Sequence, residues 1–143
     1  MKRITLFLTS LLIAVCASAQ VKITKNEHPT TMVEQISGIA GLMQRDSSFY
    51  ILTVTDNRYD EGVIIPLGEG VGNAIQSIDA LIAMFDEMVK GETFFIDGED
   101  GERFFVSRSG RSKNASLRSD RKAGVCTLHA SALRKAKKAL EAL

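Results

Sequence analysis

Hydrophobic residues recur every three or four positions over residues 71–90, the longest periodic stretch of the chain. Ile75, Ile78 and Phe85 mark one face of this pattern, and polar side chains occupy most of the other face. Such a stripe is typical of an amphipathic helix that buries its apolar side against other elements. Gly91 follows at the position where a left-handed residue often ends a helix. We therefore predict a helix over 71–90 that lies on a β-sheet.

Shorter runs rich in β-branched and aromatic residues predict strands in the rest of the chain. The predicted strands and hairpins cover residues 20–24, 32–44, 49–55, 63–67, 93–106 and 125–129. Small residues within 32–44 indicate a bulge or bend in that strand. The run 49–55 has apolar side chains on both faces, which favours the middle of a sheet. Pro66 favours an edge or strand end because it lacks an N–H donor.

An Asp-Gly pair at 100–101 separates the segments TFFID and RFFV, which indicates a hairpin with a type I′ turn. A two-residue loop at this point places Phe95 opposite Val106 and Ile96 opposite Phe105. Each of these pairs contains an aromatic side chain, so the two strands are predicted to be joined by aromatic contacts.

The segment 107–122 is strongly polar and contains one large apolar residue, Leu117. It is predicted to form either a long loop or a polar outer strand flanked by turns. A final amphipathic helix follows, with Ser131 as its N-cap and with Leu133 and Leu140 in its apolar stripe.

The two parts of the chain share the same order of predicted elements, three or four strands and then a helix. We interpret them as tandem pseudo-repeats over 20–91 and 92–143. The predicted fold class is therefore α+β, with one or two antiparallel sheets and two amphipathic helices packed on their apolar faces. The 124 residues of the segment 20–143 (143 − 19) fit a single domain.

Residues 1–19 have the pattern of a cleaved secretory signal peptide. Two basic residues precede an apolar run over 4–15, and small residues precede the expected cleavage after Ala19. The apolar run is shorter than the ~20 residues that span a bilayer. In an alternative lipoprotein leader Cys16 is acylated, although Val15 before it is bulkier than the usual small residue. We therefore predict an exported bacterial protein, periplasmic or secreted, without a transmembrane segment in its mature part.

Charge is distributed unevenly along the predicted mature chain. Residues 20–102 contain 5 Lys and Arg against 15 Asp and Glu, a net charge of −10, whereas residues 103–143 contain 11 against 2, a net charge of +9. The two parts can attract and partly neutralise each other, which contributes ~0 to 1 kcal/mol for an exposed pair. Alternatively, the basic part faces an anionic partner.

A basic tract with two aromatic residues before it is the candidate contact surface for such a partner. Guanidinium groups bind phosphate or sulfate through paired hydrogen bonds, and exposed aromatic rings stack on bases or sugars. The candidate residues are Phe104, Phe105, Arg108, Arg111, Lys113, Arg118, Arg121 and Lys122. The predicted partner is an anionic macromolecule or protein.

The order of strands and helix, written twice, resembles the ββββα repeat of the Whirly and PUR nucleic-acid-binding families. The resemblance covers most of the chain after residue 19 and concerns the order of elements, without a diagnostic motif. It implies binding of single-stranded nucleic acid as an alternative function and assigns no individual binding residue.

No set of residues in the sequence forms a convincing catalytic, cofactor or metal motif. Cys126 and His129 are three residues apart on a predicted strand and therefore face opposite sides. The glycines of GEGVG at 68–72 lack the spacing of a dinucleotide fingerprint, and the carboxylates of DGEDGE at 97–102 lack EF-hand spacing. We predict no enzyme activity, no cofactor and no bound metal.

Cys126 is the only thiol left once the predicted signal peptide is removed. Three interpretations stay open for it: an inert buried side chain, a disulfide between molecules, and a reactive thiol. None of the three provides an internal disulfide, so the fold depends on packing.

Overall fold

The computed structural model describes residues 30–56, 62–109 and 114–143. The predicted signal peptide at 1–19 and the strand predicted at 20–24 lie outside the described residues. Eight strands, two α-helices and one short 3-10 helix (Glu99–Gly101) occur in the described part of the chain. The strands and α-helices are β1 (Thr31–Gln35), β2 (Ala40–Arg45), β3 (Ser48–Thr53), β4 (Val63–Glu69), α1 (Val71–Glu87), β5 (Thr93–Asp97), β6 (Arg103–Ser109), β7 (Asn114–Ser119), β8 (Cys126–His129) and α2 (Ala130–Glu141).

The strands form two antiparallel sheets, each with its four strands in chain order. The first sheet contains β1 to β4 and is followed by α1, and the second contains β5 to β8 and is followed by α2. This architecture confirms the predicted α+β class and its two helices. Four strands and a helix therefore occur twice in the described part of the chain, whereas a tandem repeat at the level of sequence stays a prediction.

The stretch 32–44 forms a hairpin, so the prediction of one strand with a bulge or bend was wrong. β1 and β2 pair with each other, and the chain reverses at residues 36–39. The N–H groups of Ile36 and Ser37 both donate to the carbonyl of Ala40, at 3.0 and 3.1 Å. The small residues that indicated a bulge or bend therefore lie in and beside a complete reversal of the chain.

The positions of β3 and β4 in the first sheet agree with the sequence. β3 lies between β2 and β4, as its apolar side chains on both faces predicted. β4 lies at the edge of the sheet, and Pro66 on it is exposed. Because proline has no N–H to donate to a neighbouring strand, an edge strand accommodates it more easily than a central strand does.

Helix α1 forms where the hydrophobic periodicity predicted it and ends three residues earlier than predicted. Ala74, Ile78, Leu81 and Phe85 are buried, and the helix lies against β4 and β3. Met88 is already extended, with ψ of 123°, and its N–H donates to the carbonyl of Met84. The apolar stripe thus predicted the buried face more closely than the end of the helix.

Helix α2 begins at Ala130, with His129 in the N-cap position, so the predicted N-cap at Ser131 was wrong. Its buried residues include Leu133 and Leu140 of the predicted stripe. The two helices pack against each other, and α2 also contacts β8 and β1. An ion pair of 2.7 Å between Lys137 and Asp79 joins α2 to α1.

Buried side chains of both sheets and both helices form one hydrophobic cluster. Because α2 contacts strands of both sheets, neither sheet has a separate core of its own among the described residues. A single domain over 20–143 stays a prediction, and a core shared by both sheets is compatible with it. No helix in the described segments is long and apolar enough to cross a bilayer.

Candidate functional site

The β5–β6 hairpin has the predicted turn but a register that differs by one residue from the prediction. Asp100 and Gly101 both have positive φ, 54° and 74°, as a type I′ turn requires. The N–H of Gly98 donates to the carbonyl of Glu102 at 2.7 Å, so the loop contains one residue more than predicted. This additional residue changes every pair of residues that face each other in the hairpin.

The observed register pairs Phe95 with Phe105 and Ile96 with Phe104, so the predicted pairing was wrong. Phe104 is completely buried, and its ring lies so close to Gly98 that a Cβ there would be 2.6 Å from Phe104 Cε2. Burying Phe104 and its neighbours in the core sets this register, because a shift by one residue would exchange the two faces.

The side of the second sheet that faces away from the core is called here the outer sheet face. It consists of alternate residues of the four strands: Thr93, Phe95, Asp97, Arg103, Phe105, Ser107, Asn114, Ser116, Arg118, Thr127 and His129. These side chains are exposed or half-buried, whereas the residues between them on β6, β7 and β8 are mostly buried. A continuous surface of aromatic, basic and hydroxyl groups results.

Two phenylalanines form an aromatic pair on the outer sheet face. Phe95 is 58% exposed and Phe105 is 38% exposed. Their ring centroids are 5.4 Å apart with an interplanar angle of 68°, which is an edge-to-face arrangement. The guanidinium of Arg103 lies over the ring of Phe95 at 5.7 Å and pairs with Asp97 at 3.2 Å. The aromatic pair is therefore positioned by its neighbours while much of its surface stays accessible.

Arg118 lies directly beside the aromatic pair. It pairs with Phe105 across β6 and β7, and its side chain is exposed. No carboxylate of the described residues forms an ion pair with Arg118. Among the described residues, no carboxylate therefore competes for this guanidinium.

A row of hydroxyl side chains crosses the outer sheet face next to the aromatic pair. Thr93 faces Ser107, Ser107 faces Ser116, and Ser116 faces Thr127, so the row uses all four strands. On the other side of this row, Asn114 faces His129, and a hydrogen bond joins Asn114 Oδ1 to His129 Nδ1. Hydroxyl groups both donate and accept hydrogen bonds, so the row can bind a polar ligand of no net charge.

The eight candidate contact residues differ in whether a partner could reach them. Phe105, Arg118 and Arg121 are exposed. Phe104 cannot contact a partner because it is buried in the core, and this corrects its place in the candidate set. Arg111 and Lys113 lie outside the described residues.

Two further candidates bind the carbonyl groups of this chain. Arg108 Nη1 donates to the carbonyl of Met88 at 3.3 Å, just beyond the end of α1, where a positive charge is favourable. Lys122 Nζ donates to the carbonyl of Gly62 at 2.8 Å and so connects the second half of the chain to the start of β4. Both side chains bind groups within the protein and therefore do not belong to the accessible basic surface.

Sequence reasoning missed Phe95, Arg103 and the hydroxyl row. Strand parity could have found them, because Thr93 and Phe95 alternate with the apolar residues of β5 just as Arg103, Phe105 and Ser107 alternate with those of β6. The predicted basic tract followed the order of residues in the chain, whereas the observed surface follows pairing between strands.

The thiol of Cys126 lies on the inner side of β8 and is completely buried. Burial raises its pKa to about 11, and the negative charge of Asp56 adds to this effect. Positive charge on Lys122 and contact with the hydroxyl of Thr53 lower the pKa but do not compensate. His129 faces the other side of the strand, where it binds Asn114. Of the three interpretations, the geometry favours the inert buried thiol.

The pH dependence of stability should reveal the buried thiol. Below pH 9.0, its ordinary pKa, both states are protonated; between pH 9.0 and about 11 the unfolded thiol ionises while the folded one stays protonated. The free energy of unfolding should therefore fall across this range, by about 2 kcal/mol. Urea unfolding of the natural protein and of Cys126→Ala measures this. The variant should lose that part of the alkaline decrease, and equal slopes for both proteins would contradict the assignment.

The first sheet also has a concave feature beside the 36–39 reversal. Met32, Met43, Leu52 and Val54 line a hollow of about 220 Å³. Gly41 also lines the hollow, and a Cβ there would be 3.3 Å from Met32 Cε. The lining is apolar apart from Gln35, so this hollow is unsuited to the anionic partner predicted from the sequence.

The acidic turn after β5 shows no arrangement for a metal ion. Asp97 binds Arg103, and Glu102 accepts a hydrogen bond from Ser119. Throughout the described part of the chain, no three His, Cys, Asp or Glu side chains are close enough to share a metal ion.

Comparisons with known proteins do not identify a relative. No protein-family model, no curated protein and no solved structure matches the chain significantly. The resemblance to the Whirly and PUR repeat therefore rests on the order of strands and helices.

Proposed function

We propose that this protein is an exported, non-enzymatic binding protein of the bacterial envelope that meets an anionic partner through the outer sheet face. The observation that carries the proposal is the exposed Arg118, which stands beside the aromatic pair without an ion pair to any described residue. An exposed guanidinium next to aromatic rings provides both charge-assisted hydrogen bonds and stacking surface.

The location of the remaining basic residues supports the second sheet as the contact surface. On α2, Lys135 pairs with Glu34 at 3.1 Å and Lys137 pairs with Asp79, so part of the positive charge of the second half is balanced by the first half. The hydrogen bond with Asp79 also raises the pKa of Lys137, which keeps its charge in place. Arg118 and Arg121 have no such carboxylate partner among the described residues.

Replacing Arg118 with glutamine is expected to weaken binding of heparin about tenfold, because a charge-assisted hydrogen bond contributes roughly 1.5–3 kcal/mol. The slope of the logarithm of affinity against the logarithm of salt concentration should fall by about 1. Isothermal titration calorimetry with heparin at two salt concentrations provides both quantities.

Arg134→Gln is the matched control for this experiment, since it removes the same charge from an exposed position on α2. We expect it to leave heparin binding nearly unchanged. Equal weakening by the two variants would mean that net charge alone attracts the anion and that the outer sheet face is not the site. Absence of binding at low salt to heparin and to every other anionic probe would refute the proposed function.

A single-stranded nucleic-acid-binding protein is the second candidate function. The observation that favours it is the exposed Phe105 beside Arg118, since bases stack on aromatic rings while arginine binds phosphates. Tighter binding of single-stranded oligothymidylate than of oligogalacturonate, with loss of affinity in Phe105→Ala, would support this second function.

A further inference from the structure

We infer that the anionic partner is an acidic oligosaccharide, a chain of sugar rings with carboxylate groups, bound across the outer sheet face. This inference rests on the proposed function and names the class of its ligand. Three properties of the surface carry it: a low density of free charge, a continuous row of hydroxyl groups, and an exposed aromatic pair.

Free positive charge is sparse among the described residues of the outer sheet face. Of its two arginines, Arg103 is held by Asp97 at 3.2 Å, whereas Arg118 has no ion pair among the described residues. A nucleic acid presents a phosphate at every nucleotide and is bound by a groove with many cations. One free guanidinium can bind a single carboxylate through two parallel hydrogen bonds, so the rest of the contact has to come from neutral hydroxyl and apolar groups, which every sugar ring carries beside its carboxylate.

The hydroxyl row matches the neutral polar groups of a sugar chain. Thr93, Ser107, Ser116 and Thr127 lie on four successive strands, so the row extends over ~14 Å at the usual spacing between strands. Each hydroxyl can donate and accept, as each sugar hydroxyl can. A row of this length can contact several consecutive sugar rings.

The aromatic pair supplies the apolar contact that sugar rings need. Phe95 and Phe105 lie two residues along their strands from Thr93 and Ser107, which places them ~7 Å from the hydroxyl row. The C–H groups on the face of a pyranose ring are apolar and can pack against an exposed aromatic side chain, while the hydroxyls at its rim reach the neighbouring row.

These groups occupy fixed positions because they lie on paired strands. Phe95 and Phe105 contact each other edge to face, and Arg103 lies over Phe95 and pairs with Asp97 at 3.2 Å. A preorganised surface loses little conformational entropy when a ligand binds. The outer sheet face therefore has the chemistry and the rigidity of a site for a short, acidic glycan.

The experiment compares three probes by isothermal titration calorimetry with the full mature chain: oligogalacturonate, a neutral oligosaccharide of similar length, and single-stranded oligothymidylate. We expect oligogalacturonate to bind most tightly and the neutral sugar to compete with it weakly. Phe95→Ala and Phe105→Ala should each weaken oligogalacturonate binding roughly tenfold. Ser107→Ala together with Ser116→Ala should weaken it roughly fivefold, as loss of hydrogen bonds of ordinary strength predicts.

Met32→Ala and Ser48→Ala are the matched controls, because they remove an exposed apolar and an exposed hydroxyl side chain from the first sheet. Both should bind oligogalacturonate as the natural protein does. Circular dichroism of every variant confirms that the fold is retained before binding is compared.

The possible outcomes separate a failure of the glycan inference from a failure of the proposed function. If oligothymidylate and oligogalacturonate bind equally tightly through Arg118 and the aromatic and serine variants have no effect, the surface recognises negative charge alone, so the glycan inference is wrong and the proposed function stands. If oligothymidylate binds more tightly than oligogalacturonate and loses affinity in Phe105→Ala, the inference is wrong and the second candidate function is supported. If no anionic probe binds at low salt, both the inference and the proposed function are refuted.

Discussion

Replacing Phe104 with alanine is expected to lower the free energy of unfolding by about 3–5 kcal/mol, which is the usual effect of removing a buried aromatic ring. The same change at Phe105 should lower it by about 1 kcal/mol, because Phe105 is partly exposed and loses mainly its contact with Phe95. The two residues are adjacent and chemically identical, so the comparison isolates the face of the sheet on which each lies. Equilibrium unfolding in urea, monitored by circular dichroism, measures both changes.

This pair of variants tests the register on which the outer sheet face depends. A strand displaced by one residue would exchange the two faces of β6 and make Phe105 the costly position. Equal destabilisation by both changes, or a larger effect at Phe105, would contradict the observed pairing of β5 with β6. The expected small effect at Phe105 also means that binding measurements on Phe105→Ala report on the surface rather than on unfolding.

Replacing Leu133 with alanine is expected to lower the free energy of unfolding of the protein by about 2–5 kcal/mol. The free energy of unfolding measured for the first sheet alone should fall by the same amount. Leu133 is completely buried on α2, which contacts β8 in the second sheet and β1 in the first. Both tyrosines of the chain precede residue 60 and tryptophan is absent, so tyrosine fluorescence reports on the first half. The fluorescence transition should coincide with the loss of far-ultraviolet circular dichroism.

Leu143→Ala is the control for the second prediction, since Leu143 follows α2 and is 68% exposed. It should leave the midpoint of unfolding unchanged. A tyrosine transition that stays in place in Leu133→Ala, while circular dichroism shows an earlier step, would mean that the two sheet-and-helix units unfold separately. That result would oppose a single domain and favour the tandem arrangement of 20–91 and 92–143.

The two predictions connect stability with function through the same structural feature. Packing of Phe104 against the core fixes which side of β6 faces outward, and this places Phe105 beside Phe95 and Arg118. Because the core determines the register, it also determines which side chains can meet a partner. A binding surface of this kind cannot be moved without repacking the interior.

The sequence by itself determined the elements whose signals are local. Helix α1 follows from a repeated spacing of apolar residues, β3 from a run of β-branched and aromatic residues, and the position of the β5–β6 turn from its Asp-Gly pair. These signals come from the preference of each side chain for a backbone conformation and for burial, and they need no knowledge of distant residues. The α+β class follows from the order of the elements.

Tertiary structure decided the register of the β5–β6 hairpin, the ends of both helices and the members of the outer sheet face. One extra residue in the loop after Asp97 pairs Phe95 with Phe105 instead of the partners predicted for each, and the packing of Phe104 against Gly98 and the core accounts for this register. Likewise, Arg108 and Lys122 look like free charges in the sequence but bind carbonyl groups from distant parts of the chain. Pairing between strands and contacts between distant segments depend on the free energy of the whole core, which a local pattern of residues does not contain.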